Sequence, residues 1–298
     1  MAECLVGVGS NLGNSREILD NAVKHLAKTF RILAVSEWFG YPAIGPVEGE
    51  QHQPDFLNGV LVIESSLSPQ ETANILHETE KLAGRQRVVR WSSRTLDVDL
   101  LLFDDTIIRT ETLQVPHPRM MSRRFVLEPA CQVAADMLHP CNGWSIKQLF
   151  RHLDVVKPYF VVLSEDPAKS ERLLNRLHNE VDGERIPNLD EELSLASAEP
   201  KQLIQYVAEK MAALNSFPTG PWFGNFWIGE LSLLPNCSNL AWEEQWNPKL
   251  VLVNDRESTE FATRLKRVSP ELQVPTIFLS VDEEDAWQDA LGAVQGMS

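Results

Sequence analysis

The chain has 298 residues, of which 43% are hydrophobic and 23% charged, and its formal net charge at pH 7 is −15. This composition is typical of a globular protein, and the length favours two domains over one. The acidic balance argues against nucleic acid and anionic membranes as partners, because both are polyanions. No apolar run approaches the roughly 20 residues that span a bilayer. The N-terminus has no basic segment, and its apolar run is too short for a secretory signal.

The charge is unevenly divided along the chain. Residues 1–157 carry 16 basic and 19 acidic side chains, whereas residues 158–298 carry 11 and 23. Arginines are concentrated in the near-neutral half, at Arg85, Arg87, Arg90, Arg94, Arg119, Arg123 and Arg124. A local basic cluster on an acidic chain predicts a small polyanion as ligand.

The four cysteines are scattered through the chain and show no spacing typical of a metal site. They are Cys4, Cys131, Cys141 and Cys237. Free thiols in a reducing compartment are the simplest interpretation, so we expect a cytoplasmic protein.

Strand and helix patterns interleave through the first half of the chain. Apolar patterns predict strands at residues 4–8, 32–38 and 56–64 and a further strand that contains Asp97 and Asp99. Helices are predicted from about residue 15, from a capping box at 68–71 to about 84, and over about 123–135. These elements predict a compact α+β domain, which we assign to residues 1–157. The apolar texture changes after Pro158, and residues 158–298 are assigned to a second domain with strands at 159–163, 249–253 and 275–281.

Asp97 and Asp99 lie in what otherwise resembles a buried strand. They alternate with apolar residues, so both carboxylates emerge on one face of the strand, roughly 7 Å apart. Close like charges are costly to bury unpaired, and a divalent cation or the nearby arginines would offset that cost. A hard cation such as Mg²⁺ takes carboxylate oxygens together with phosphate oxygens of its substrate. The alternative is a strand whose acids simply face solvent.

Three further groups favour a phosphoryl-transfer site when they occur together. Four arginines lie within residues 85–94, and guanidinium groups match phosphate oxygens bidentately. His117 stands between two prolines, which hold the backbone extended and present the imidazole rigidly. Asn58, Trp91 and Phe125 could clamp a flat heterocycle by stacking and edge hydrogen bonds. Each group alone is more often structural, and the inference depends on their combination.

Five motifs occur in order along the first half of the chain. They are Gly9–Gly13, Gln53–Asn58, Gly84–Arg87, Arg90–Asp99 and Val115–Arg119. Together they resemble the 6-hydroxymethyl-7,8-dihydropterin pyrophosphokinases of folate biosynthesis, over about residues 2–155. The resemblance implies a ferredoxin-like α+β domain that transfers diphosphate from ATP to the hydroxymethyl group of the pterin and releases AMP. The domain has no GxxxxGKS/T motif, so side chains and metal would hold ATP in place of a P-loop.

The resemblance also implies roles for individual residues. By motif position, Asp97 and Asp99 look like the ligands of two Mg²⁺ ions. The implied ATP-binding residues are Glu80, Arg85, Arg87, Trp91, Arg94, His117 and Arg123, of which Arg85, Arg94 and His117 are the implied catalytic residues. The implied pterin-binding residues are Pro42, Ile44, Phe56, Asn58, Trp91 and Phe125. Ser92–Ser93 stands where the family usually has Gly-Pro, and Tyr41 where threonine is common; we expect these departures to tune loop closure and affinity.

The second half resembles the deoxynucleoside kinases in layout more than in motif. A strand at 159–163 leads through a loop ending in Lys169 and Ser170 into a helix, as in a P-loop. Leu163 and Ala168 stand where the P-loop has its glycines. Glycines allow backbone amides to wrap around phosphate, so their loss predicts a degenerate P-loop kinase-like α/β domain with a structural or regulatory role.

Alternatives to this interpretation stay open. The second domain could form a homodimer interface, act as a deoxynucleoside kinase in a bifunctional enzyme, or be an unrelated binding domain. In the last case the aromatic residues Trp222, Phe223, Phe226 and Trp227 could form an interface, although such residues are more often buried. For the whole chain, the rival from another class is a non-catalytic nucleotide-binding scaffold. The intact acid pair, with Arg94 and His117, argues against that rival.

Overall fold

The computed structural model describes residues 1–44, 53–83, 94–110, 112–164, 166–181, 183–185, 202, 205, 209, 221–224, 247–254, 274–280 and 282–297. The chain divides into two compact units, the first formed by residues 1–151 with 295–298 and the second by residues 152–294. The domain boundary predicted between residues 157 and 158 stays a prediction. Within the described ranges, no helix is both long and apolar enough to cross a membrane.

The first unit combines strands and helices as the α+β prediction requires. Its strands are β1 (Ala2–Ser10), β2 (Arg31–Val35), β3 (Phe39–Tyr41), β4 (Phe56–Ser65), β5 (Asp97–Phe103), β6 (Ile108–Arg109) and β7 (Gln114–Val115). Its helices are α1 (Ser15–Leu26), α2 (Pro69–Leu82) and α3 (Arg124–Ala134), with a 3-10 turn at Met120–Ser122, and α4 (Ile146–Val155) follows. The predicted α+β class is confirmed.

The main sheet of this unit is antiparallel, with strand order β2-β4-β1-β5 and β3 paired to β4 beside β2. Helices α1 and α2 each follow a strand, and with β2 and β3 counted as one interrupted strand the chain has the β-α-β-β-α-β order compatible with the implied ferredoxin-like fold. Alternate residues of β1, such as Val6 and Val8, join a buried cluster with Leu19 of α1 and Leu76 of α2. The opposite face of β1 is left for the cavity described below.

One strand differs from its prediction. The apolar run over residues 32–38 predicts a single strand, but β2 ends at Val35 and β3 begins at Phe39. At Ser36 the side-chain hydroxyl, instead of a backbone carbonyl, accepts the hydrogen bond from the Val60 amide at 2.9 Å. This substitution of a side chain for the backbone interrupts the ladder, so the prediction is wrong at this point.

The predicted capping box is present at the start of α2. Ser68 Oγ accepts from the amide of Glu71 at 3.3 Å, and Glu71 Oε2 accepts from the amide of Ser68 at 2.9 Å. These reciprocal bonds satisfy backbone donors that a helix start otherwise leaves free. Helix α2 therefore begins where the sequence predicts.

The second unit contains a parallel sheet with strand order β12-β11-β8-β10-β9. Its strands are β8 (Tyr159–Leu163), β9 (Glu184–Arg185), β10 (Trp222–Gly224), β11 (Leu250–Val253) and β12 (Thr276–Phe278), and its helices include α5 (Pro167–Val181) and α6 (Glu283–Gln295). Every residue of β8 is buried, as expected for a central strand of a parallel sheet.

Two of the aromatic residues considered for an interface belong to the core of the second unit. Trp222 and Phe223 are 3% and 0% exposed, and the Phe223 ring stacks on Phe160 with a centroid separation of 5.6 Å. The idea that they form an exposed interface is therefore wrong for these two residues. Phe226 and Trp227 lie outside the described residues.

Candidate active site

The floor of the candidate site is a glycine row in the middle of the first sheet. Gly9 of β1 is paired with Asn58 of β4 on one side and with Asp97 of β5 on the other. Gly7 is paired in the same way with Asp99. Directly opposed residues share a face of the sheet, so the acids and the amide stand on either side of a strip without side chains. A Cβ built on Gly9 would lie 2.5 Å from Asn58 Oδ1, so a larger residue there would displace the Asn58 amide.

A single cavity above this floor is lined by every predicted site residue that the structure describes. These residues are Pro42, Ile44, Phe56, Asn58, Glu80, Arg94, Asp97, Asp99, His117, Arg123 and Phe125. Predicted residues Arg85, Arg87 and Trp91 lie outside the described residues. His77 and Arg119 also line the cavity, and neither was predicted as a site residue. Arg119 belongs to the last of the five motifs, whereas His77 lies in α2 outside all of them, and nothing in the spacing of either residue distinguishes a lining residue from a solvated one.

The two aspartates face arginine and histidine side chains. Arg94 Nη1 donates a short hydrogen bond to Asp97 Oδ2. Asp99 Oδ2 lies 3.9 Å from Arg123 Nη1 and 3.8 Å from His117 Nε2. The aspartate side chains remain 22% and 37% exposed. The acids are therefore open to the cavity and are not turned into the apolar interior.

This donor set suits a hard cation that shares its ligands with a substrate. Among the residues that the structure describes, no group of three or more His, Cys, Asp or Glu side chains could hold a metal ion. Two same-face carboxylates leave most positions of a six-coordinate Mg²⁺ for water and phosphate oxygens. The acid pair thus fits magnesium delivered together with a nucleotide.

Arg123 is a nearly buried cation in the wall of the cavity. Its side chain is 11% exposed and the guanidinium lies 5.3 Å from the centroid of the Phe125 ring. Burial lowers the pKa of Arg123 to about 10, helped by Arg119 and opposed by Asp99. The group stays charged at neutral pH, and a poorly hydrated charge interacts strongly with an incoming anion.

His117 is presented as a neutral hydrogen-bond donor. Its backbone amide donates to the Leu101 carbonyl at 2.9 Å, and its Nδ1 accepts from the amide of Arg119 at 3.2 Å. Because Nδ1 is an acceptor, the ring proton belongs on Nε2, the atom nearest Asp99. Burial, with Arg123 and Arg119, lowers the pKa of His117 well below its usual value. A neutral Nε2–H directed into the cavity can donate to a phosphate oxygen.

Glu80 and Asn11 hold the acid strand in place. Glu80 is 2% exposed, and its Oε1 accepts from the amide of Val98, between the two aspartates, at 2.8 Å. Asn11 Oδ1 accepts from the Arg94 amide at 2.7 Å while its Nδ2 donates to the Pro54 carbonyl at 3.1 Å. Asn11 therefore ties three of the sequence motifs together. Sequence reasoning missed this role, because a turn asparagine carries no signal of a distant partner.

Aromatic and amide side chains line the same cavity as the charged groups. Phe56 and Phe125 supply ring faces, and Asn58, which is 8% exposed, supplies an amide. Apolar faces with one polar edge suit a flat heterocycle. An acid pair facing buried cations, next to such a clamp, is typical of enzymes that transfer phosphoryl groups to an organic acceptor.

Comparison with known proteins gives the family. The sequence profile of 7,8-dihydro-6-hydroxymethylpterin-pyrophosphokinase (HPPK) matches residues 5–135. Proteins named 2-amino-4-hydroxy-6-hydroxymethyldihydropteridine pyrophosphokinase are similar to this chain. The one from Synechocystis sp. is 36% identical over 152 residues (50% of this chain, 75% of the relative). The one from Aquifex aeolicus is 32% identical over 163 residues (55% and 99%), and the one from Pseudomonas aeruginosa is 38% identical over 138 residues (45% and 82%). The chain belongs to the HPPK family.

Proposed function

We propose that the first unit transfers diphosphate from ATP to the hydroxymethyl group of 6-hydroxymethyl-7,8-dihydropterin and releases AMP, a step of folate biosynthesis. The proposal depends on one observation. The acid pair, Arg123 and His117 line the same cavity as Phe56, Asn58 and Phe125. Polyphosphate chemistry and a clamp for a heterocycle therefore meet in one place, as transfer between the two substrates requires.

The charged end of the cavity suits a triphosphate. Arg94 and Arg123 are fixed guanidinium groups, and His117 offers a neutral Nε2–H donor. Such donors stabilise negative charge as it spreads over the transferring group, without having to reorganise during the reaction. Asp97 and Asp99 are the residues that would hold magnesium, two ions according to the sequence prediction, which would neutralise phosphate charge when bound.

The aromatic end suits the acceptor. The faces of Phe56 and Phe125 can hold a planar ring, and Asn58 can bond its polar edge. A pterin held there would direct its hydroxymethyl group towards the charged end. Attack of the hydroxymethyl oxygen on the β-phosphorus forms the new O–P bond and breaks the bond between the β-phosphorus and the oxygen that bridges it to the α-phosphate. AMP leaves with that oxygen, and the proton of the hydroxymethyl group is released. The roles predicted for Glu80, Pro42, Ile44, Arg85, Arg87 and Trp91 stay predictions.

AMP release by the full chain tests this function. With ATP and Mg²⁺ we expect AMP only when the hydroxymethyl-dihydropterin is present, together with an equal amount of pterin diphosphate. Pterin-independent AMP formation, or no turnover with both substrates, would contradict the proposal.

For the second unit we propose a structural or regulatory domain, a degenerate P-loop kinase-like module, and not an active kinase. The support comes from the turn between β8 and α5. Asp166 Oδ1 accepts from the Ala168 amide at 2.9 Å, so the start of α5 is capped by a carboxylate of this chain. Ser170, the residue that a P-loop would turn towards metal, is 3% exposed. A negative charge already at the helix start disfavours a phosphate.

Binding stoichiometry tests that second proposal. Equilibrium dialysis of the full chain with a non-hydrolysable ATP analogue and Mg²⁺ should saturate at one nucleotide per chain. Two nucleotides per chain would favour the bifunctional alternative. The homodimer through the second domain and the cytoplasmic location stay predictions of the sequence.

A further inference from the structure

Tyr41 makes a hydrogen bond between two walls of the cavity. It is the last residue of β3, directly before the cavity-lining Pro42, and its hydroxyl donates to Glu128 Oε2 of α3 at 2.7 Å. Burial raises the pKa of Tyr41, and the hydrogen bond and charge of Glu128 raise it further. The phenol therefore keeps its proton, and the bond persists across the neutral range.

The same tyrosine contacts Phe125. The centroids of the two rings are 6.2 Å apart and the planes are inclined by 59°, within the range of an edge-to-face pair. The Arg123 guanidinium also lies over the Phe125 ring, 5.3 Å from its centroid. The Phe125 ring thus contacts both a phenol and a cation, and the phenol is in turn bonded to Glu128.

We propose that Tyr41 and Glu128 are positioning residues that set the place of Phe125 for the pterin, without a part in holding ATP. The inference rests on the proposed function of the cavity. Phe125 and Glu128 are three residues apart on α3 and therefore project from the same side of the helix. The Tyr41–Glu128 hydrogen bond links the wall carrying Pro42 to the wall carrying Phe125.

A second link between the same segments provides a matched control. One turn further along α3, Gln132 Oε1 accepts from the Glu37 amide at 2.9 Å. Gln132 is exposed, and it does not line the cavity. If the Tyr41 bond merely fastened β3 to α3, loss of the Gln132 bond would have a similar effect on the reaction.

The test compares four variants of the full chain by steady-state kinetics. Tyr41→Phe keeps the ring and removes the donor, so we expect the KM for the pterin to rise about fivefold, the equivalent of one ordinary hydrogen bond. The kcat and the KM for ATP should stay within about twofold. Glu128→Ala should match Tyr41→Phe, whereas Glu128→Gln keeps an acceptor and should restore the pterin KM. Gln132→Ala should leave the pterin KM unchanged.

A fluorescence titration of pterin into each variant, with a non-hydrolysable ATP analogue present, gives a readout independent of turnover. Weaker pterin binding in Tyr41→Phe and Glu128→Ala, with near-normal binding in Glu128→Gln, supports the inference. It is overturned if Tyr41→Phe binds pterin like the wild type, if ATP affinity falls equally, or if Gln132→Ala weakens pterin binding as much. Failure of the proposed function has a different signature: the wild type itself makes no pterin diphosphate.

Discussion

Aspartates in the two units of this chain have different kinds of partner. In the first unit, Asp97 and Asp99 face arginine and histidine side chains across an open cavity. In the second unit, Asp166 follows strand β8 and bonds the backbone of its own helix. The same side chain thus serves as a candidate metal ligand in one place and as a helix cap in the other. The groups that contact the carboxylate indicate which role it has, and the local sequence pattern around it does not.

Removing the acid pair should produce the largest effect. Asp97→Asn or Asp99→Asn removes a proposed magnesium ligand without changing side-chain volume, so we expect turnover to fall about a thousandfold or more. Asp105→Asn, in the exposed turn after β5, is the control and should retain activity. Thermal unfolding should show that each variant stays folded. An active Asp97→Asn variant would contradict the role of this acid in the reaction, and an unfolded one would mean that the acid is structural.

Acid should destabilise both units, because each buries a neutral histidine. Burial lowers the pKa of His139 in the first unit, and of His152 in the second, to about 4. Between pH 6.5 and 4 the unfolded chain binds more protons than the folded one, so stability falls as the pH falls through that window. Each histidine should lower the free energy of unfolding by about 2 kcal/mol at pH 5 relative to pH 7.

Urea unfolding of the wild type and of His139→Gln at pH 7 and pH 5 measures this contribution. The variant should lose less stability on acidification than the wild type. An equal loss in both proteins would show that His139 is not the titrating group.

The glycine floor is the part of the first sheet on which the candidate site is built. Gly9→Ala would place a methyl group against Asn58 Oδ1, so we expect the KM for the pterin to rise at least about tenfold through displacement of the amide. Gly40→Ala is the matched control, since a Cβ on Gly40 meets nothing within 4 Å. Equal pterin KM values in Gly9→Ala and the wild type would contradict the assignment of Asn58 to the acceptor.

The smallest effect is expected at Asp166, which follows strand β8. Asp166→Ala removes the cap of α5 and should cost about 1 kcal/mol of stability, whereas Asp166→Asn keeps an acceptor and should cost less. Neither variant should change AMP formation or add a second nucleotide site. A gain of nucleotide binding in Asp166→Ala would mean that the carboxylate blocks a working phosphate loop.

The residues of the candidate site could be predicted from the sequence, whereas most of the residues that hold them in place could not. Capping boxes and alternating strands are local signals, so α2 begins where predicted, and Asp97 and Asp99 lie in a strand as predicted. The motifs predicted that Asp99 and His117 belong to one site, because both fall at positions that the resemblance to the family implies for that site. Links across long stretches of chain, such as Asn11 to Arg94 and Tyr41 to Glu128, leave no periodic signal. They depend on the tertiary fold, and the sequence did not predict them.

The central claim is that the acid pair and the buried cations serve transfer to a pterin held on the same floor. Its most direct test is mass spectrometry of the products from a single turnover of the full chain with ATP, Mg²⁺ and 6-hydroxymethyl-7,8-dihydropterin. We expect one pterin diphosphate for each AMP, and neither product from Asp97→Asn. ADP or free phosphate in place of AMP, or an unchanged pterin, would contradict the claim.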